Sequence, residues 1–111
     1  MSSLLIRTVE KVNQIRALWG LDPVPELVPG EVAAACNCPV ANAVKLGAGA
    51  SLHVTVSGGA VTVMDNERES SYELPSQFMQ DKPFTTYATF PDLFDQGEWP
   101  ELNVDYPTEV L

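Results

Sequence analysis

The sequence predicts an α+β fold, and three observations carry that expectation. Residues 51–65 alternate apolar and polar side chains about Gly58-Gly59, the pattern of a two-stranded hairpin. Residues 3–19 repeat apolar side chains at spacings of three and four, the pattern of an amphipathic helix. Prolines and glycines between them sit where short helices start and stop. Together they predict a single domain over residues 1–111, with an N-terminal helix and short helices packed on a small antiparallel sheet centred on the 51–65 hairpin.

In the first helix Leu5, Val9, Val12, Ile15 or Arg16, and Trp19 form the apolar stripe, while Arg7, Glu10, Lys11 and Gln14 fall on the outer face. Ser2 or Ser3 can cap its start. Gly20 suits the left-handed residue past its end, and Pro23 forbids continuation. Pro23, Pro25 and Pro29 make residues 21–30 an extended connector. Two short helical pieces are expected next, over residues 31–36 and 39–46. Pro39 is the first helical residue of the second piece, Gly47 its terminator, and Val40, Ala43 and Val44 face inward.

The hairpin register follows from its two-residue turn, which needs positive φ at both glycines and twists as the strands do. That register sets Val56 opposite Val61, Val54 opposite Val63, Thr55 opposite Thr62 and His53 opposite Met64. One face is a valine wall. A hairpin alone is marginal in water, so the wall needs cover, for which the stripe of the first helix is the evident source. Beyond it, residues 66–69 read as a charged turn and 71–74 as a third strand. Residues 75–80 read as a helical turn opened by Pro75, 84–90 as β-like or as a helical approach to 92–96, and 101–106 as a returning edge strand.

The length suffices for one sizeable core, and a hydrophobic content of 45% is that of a folded chain. No apolar run approaches the roughly 20 residues of a membrane span, and residues 1–7 lack the pattern of a signal peptide, so a cytoplasmic location is expected. The net charge is −9, and it is unevenly spread. Residues 1–64 hold four acids and four bases; residues 65–111 hold eleven acids against Arg68 and Lys82, interleaved with Tyr72, Phe78, Phe84, Tyr87, Phe90, Phe94, Trp99 and Tyr106. Without a basic stripe to displace counterions, direct nucleic-acid binding is not expected.

Few residues bear on chemistry. Cys36 and Cys38 are too close to close a useful disulfide loop. Cys38 precedes Pro39 at a cap position, where unpaired amides acidify a thiol, so reactivity or metal ligation is one reading. A small buried hydrophobe is the other. Structural zinc wants four ligands and the chain offers these cysteines and His53, so no metal is expected. His53, the only histidine, has Thr55, Thr62 and Met64 as strand neighbours and no carboxylate to orient it as a base. The 47–50 Gly-Ala repeat lies after a helix and before a strand, the reverse of a phosphate loop. Asp92 and Asp95 share a helical face near Glu98 and Glu101, but their spacing matches no calcium loop. No catalytic residue and no cofactor are expected.

Carboxylates around large rings can form a binding face, with the rings as anchors and the charge steering a basic partner; the alternative is aromatics in the core and acids for solubility. Cys38-Pro39-Val40-Ala41 before the valine hairpin, then Tyr72-Glu73-Leu74-Pro75 and Phe94-Asp95-Gln96-Gly97, resemble small uncharacterised proteins of actinobacteria and their bacteriophages. The likeness spans about residues 36–106, and residues 82–90 are longer than that pattern has. It implies a compact α+β domain and a phage origin, and transfers no catalytic residue.

The leading expectation is a non-enzymatic interaction protein whose C-terminal half, through Asp92, Asp95, Glu98, Trp99 and Glu101, binds a protein with a basic surface. One alternative is a small enzyme or ligand-binding domain using His53 or Cys36 and Cys38. Another is a self-associating subunit pairing through an open sheet edge. Oligomeric state is left open.

Overall fold

The computed structural model describes residues 3–31, 34–57, 59–79 and 86–103. The α+β arrangement is present, with helix α1 at Ser3–Leu18 and helix α2 at Pro39–Lys45. An antiparallel sheet contains β1 (His53–Ser57), β2 (Ala60–Met64) and β3 (Glu69–Glu73) in that order. A separate antiparallel pair, β4 (Ser76–Met79) and β5 (Thr86–Thr89), leads into helix α3 (Phe90–Asp95) and a 3-10 turn at Pro100–Leu102.

The hairpin pairs in the expected register, His53 with Met64, Val54 with Val63, Thr55 with Thr62 and Val56 with Val61. Gly58, and with it the expected turn conformation, lies outside the described residues. Val54, Val56, Val61 and Val63 are all buried, and each contributes about 1.5 to 3 kcal/mol relative to an exposed valine. The third strand is present and starts two residues earlier than expected, at Glu69.

The cover over the valine wall has two layers. Helix α2 packs directly on β1, and α1 packs on α2. Val40, Ala43 and Val44 turn inward as expected, and they join Val12 and Ile15 of α1 and the four valines in one buried cluster. At its carboxyl end α1 reaches the sheet itself, where Trp19 Nε1 donates to the Tyr72 hydroxyl at 2.9 Å and the Arg68 guanidinium lies 3.8 Å above the Trp19 ring. The helix ends as expected: Leu21 N donates to Arg16 O and Gly20 N to Ala17 O, with Gly20 at φ +76°. This double closure needs a left-handed residue, which glycine adopts without a Cβ clash.

Three expectations are corrected. Residues 34–37 form turns rather than the end of a helix, while residues 32–33 lie outside the described residues. Glu31 N donates to Asn37 O and Val56 N to Ala35 O, so this segment spends its backbone groups on neighbouring loops and on the edge of β1. Residues 76–79 are strand β4, not a helical turn, and residue 80 lies outside the described residues: Ser76 pairs with Thr89 and Phe78 with Tyr87. Pro75 fits the start of a strand as well as the start of a helix, because both leave its missing amide unused. The return of the chain is a 3-10 turn, with Asn103 bridging to Gly30 in parallel fashion, instead of a strand over 101–106; residues 104–106 lie outside the described residues. Of the two readings of 84–90, the β-like one applies at Thr86–Thr89 and the helical one from Phe90, where α3 begins; residues 84–85 lie outside the described residues.

Candidate functional site

Asp92, Asp95, Glu98, Trp99 and Glu101 run from the middle of α3 into the 3-10 turn, and their roles diverge. Thr89 caps α3, and both its amide and its hydroxyl donate to Asp92 Oδ2 at 3.0 Å. Asp92 therefore serves the helix start, its carboxylate engaged by an otherwise orphaned donor and favoured by the helix dipole. Asp95, Glu98 and Glu101 are exposed.

Trp99 is half-buried and stacks on Phe90 with ring centroids 4.4 Å apart, and Phe90 stacks in turn on Phe94 at 5.8 Å. It touches both buried clusters among the described residues, including the smaller one of Leu4, Ala88 and Leu93. To bring the indole inward, Trp99 adopts φ 52°, ψ 57°, a left-handed conformation that costs a bulky residue about 1 to 2 kcal/mol. The ring contacts offset that cost. Trp99, expected in the binding face, thus packs against the core with one part of its ring. Phe90 and Phe94 are buried and Tyr72 half-buried, whereas Tyr87 on β5 is 66% exposed. Phe84 and Tyr106 lie outside the described residues.

A groove lies beside this segment, unmarked by any pattern in the sequence. One wall is α1, with Leu5, Ile6, Val9 and Glu10; the connector supplies Pro25, Glu26 and Leu27; the 3-10 turn supplies Glu101 and Leu102. Its volume is about 350 Å³. Two pins hold the walls. Asn13 Nδ2 donates to Val24 O at 2.9 Å while Val24 N donates to Asn13 Oδ1 at 2.8 Å, tying the connector to α1. Gly30 N donates to Leu102 O at 2.8 Å, tying the 3-10 turn to the connector. On its other side Gly30 lies against the 37–38 backbone, where a Cβ would stand 2.5 Å from Asn37 O and from Cys38 C.

The candidates for chemistry stand apart from that groove. Cys38 is buried and caps α2, its sulfur 3.5 Å from the Ala41 amide. Burial pushes its thiol pKa up, against the lowering by the Ala41 and Val40 amides, so the cap does not yield the acidified thiol the sequence allowed. Cys36 is exposed, with its sulfur 3.9 Å from Thr55 Oγ1. His53 is exposed at the start of β1, opposite Met64. Among the described residues no group of three or more His, Cys, Asp or Glu is placed to hold a metal ion, and no helix is long and apolar enough to cross a membrane. A second, smaller cavity of about 250 Å³ lies between Ala34, Ala35, Cys38, Val56, Pro91, Asp92 and Asp95.

Comparison of the chain with known protein families, with curated proteins and with solved structures finds no match.

Proposed function

We propose that this protein acts without catalysis, as a cytoplasmic interaction protein that binds a protein partner with a basic surface through its C-terminal half. The observation that carries the reading is the charge partition: residues 65–111 hold the whole net charge of −9, and Asp95, Glu98 and Glu101 present carboxylates outward on one short segment. Aromatic stacking behind them holds that segment against the core. Rigid backing lowers the ordering cost of an encounter, and a single-sign face raises its rate. In the sharper form of the proposal, carried by the resemblance of residues 36–106, the chain is phage-encoded and the partner is a host factor. Asp92 and Trp99 act by positioning the segment, and the three exposed acids make the contact.

The test is capture from a host lysate at low and high salt, with nuclease present, by the full chain and by a D95N/E98Q/E101Q variant. Charges separated by more than about 10 Å are screened near 0.1 M salt, so a partner held by this face washes off as salt rises and is missed by the variant. Equal capture by both chains would overturn the reading.

A further inference from the structure

We infer that the groove between α1, the proline connector and the 3-10 turn is a docking site for a short basic peptide segment that carries bulky apolar anchors. Its floor is apolar: Leu27 is buried, Leu5, Val9 and Leu102 are half-buried, and Ile6 remains 46% exposed. Glu10, Glu26 and Glu101 are its charged lining residues, all exposed, and none of the lining residues is Lys, Arg or His. An apolar floor under acids of one sign complements a segment that places Leu- or Phe-like side chains inward and Lys or Arg outward. A volume of about 350 Å³ is near the lower end of small-molecule sites, roughly 300 to 1,000 Å³, and accommodates a few side chains rather than a whole cofactor.

Charge selects among occupants. Residues 104–111 of the same chain contain Asp105 and Glu109 and no base, the wrong sign for this rim. A second copy of the chain brings a net charge of −9. A basic partner segment is the occupant that the rim favours. The inference rests on the proposed function, since Glu101 belongs to both surfaces, and it adds two glutamates from the N-terminal half, where the net charge is zero.

The experiment pans a random dodecapeptide library displayed on filamentous phage against the intact chain, then titrates the enriched peptides into methyl-labelled protein by NMR. The expected result is peptides combining at least two Lys or Arg with bulky apolar residues, shifting the methyl signals of Leu5, Ile6, Val9, Leu27 and Leu102. Their affinity falls about tenfold in E10Q/E26Q/E101Q, as expected for three exposed ion pairs. It also falls severalfold in Ile6→Ser, a change at an exposed position that leaves the core intact. Acidic or uncharged peptides, shifts outside the groove, no enrichment, contacts from the Val110 or Leu111 methyls of the same chain, or a dimer seated on the groove would each overturn the inference. D95N/E98Q, which leaves the groove lining untouched, separates the two claims. Partner capture lost in D95N/E98Q while peptides ignore the groove removes the groove alone. Peptides bound in the groove while capture ignores D95N/E98Q/E101Q remove the acidic-face reading alone.

Discussion

The Arg16 guanidinium of α1 donates to the carbonyl oxygen of Ala43 in α2 across 2.8 Å. The same Nη1 lies 3.0 Å from Val44 O and 2.8 Å from Leu46 O, and Nε lies 2.6 Å from Asp22 O. Helix ends leave carbonyls without intrahelical partners, and the carboxyl end carries the negative pole of the dipole. A buried arginine, 5% exposed, thus closes α2 from a different helix.

Arg16→Met leaves the buried carbonyls of Ala43 and Val44 without this donor and costs about 3 kcal/mol, read as a lower urea midpoint. Arg16→Lys recovers less than half of the loss, because one ammonium cannot serve the partners of both Nε and Nη1. Full recovery by lysine would mean that charge alone matters.

Gly30→Ala forces a Cβ to within 2.5 Å of backbone atoms of Asn37 and Cys38, and these cannot swing aside as a side chain does. The expected cost is about 2 to 3 kcal/mol, a drop of roughly 10 °C or more in Tm. Gly49→Ala is the control: a Cβ there meets nothing within 4 Å, and its Tm stays near that of the parent.

Trp99→Ala removes the stack on Phe90 and costs about 3 kcal/mol, while Trp99→Phe keeps part of the contact and costs about 1 kcal/mol. Partner affinity per folded molecule stays unchanged in Trp99→Phe. A selective loss of binding in that variant, with stability retained, would place the indole in the partner contact instead.

Asn13→Ala breaks both hydrogen bonds to Val24 and costs about 2 kcal/mol. Hydrogen exchange at the Val24 amide quickens more than exchange in the sheet, because the lost pin joins only the connector to α1.

Two groups give stability a pH dependence of opposite sign. The Cys38 thiol has a pKa raised by burial, so the folded chain holds that proton more tightly than the unfolded one. Its stabilisation is complete below the ordinary thiol pKa of about 8.5 and is lost as pH rises above it. Cys38→Ala therefore flattens the fall in urea midpoint between pH 8 and 10. Asp65 is lowered by hydrogen bonds from the Glu67 and Arg68 amides, so its contribution is present above the ordinary aspartate pKa of about 3.9 and is lost as pH falls below it. Asp65→Asn flattens the acid limb and leaves the alkaline limb unchanged.

What was legible was local. The alternation of Val54, Val56, Val61 and Val63 and the two residues between Ser57 and Ala60 are enough to set the hairpin register, because a slip by one residue would turn every valine to water. Cys38, Pro39, Gly20 and Gly47 marked helix ends through backbone requirements carried by single residues. Residues 76–79 carry no local mark of a strand, because the position of Pro75 is compatible with either element, and the pairing of Phe78 with Tyr87 that decides the matter is not local. The candidate carboxylates at 95–101 were legible from composition, whereas the hydrogen bond of Asp92 to Thr89 and the stacking of Trp99 on Phe90 are contacts that only the folded chain displays.

The sequence by itself determined the α+β class, the hairpin register, the ends of the first two helices and the concentration of negative charge beyond residue 64, because each follows from near-neighbour geometry or from counting. Only the tertiary structure decided that Arg16 turns inward, that α2 lies between α1 and β1, and that Glu10, Glu26 and Glu101 share one apolar groove. Those three relations arise where distant segments meet. Packing and hydrogen bonding between such segments leave no periodic trace in either one, so no window of the chain contains the signal.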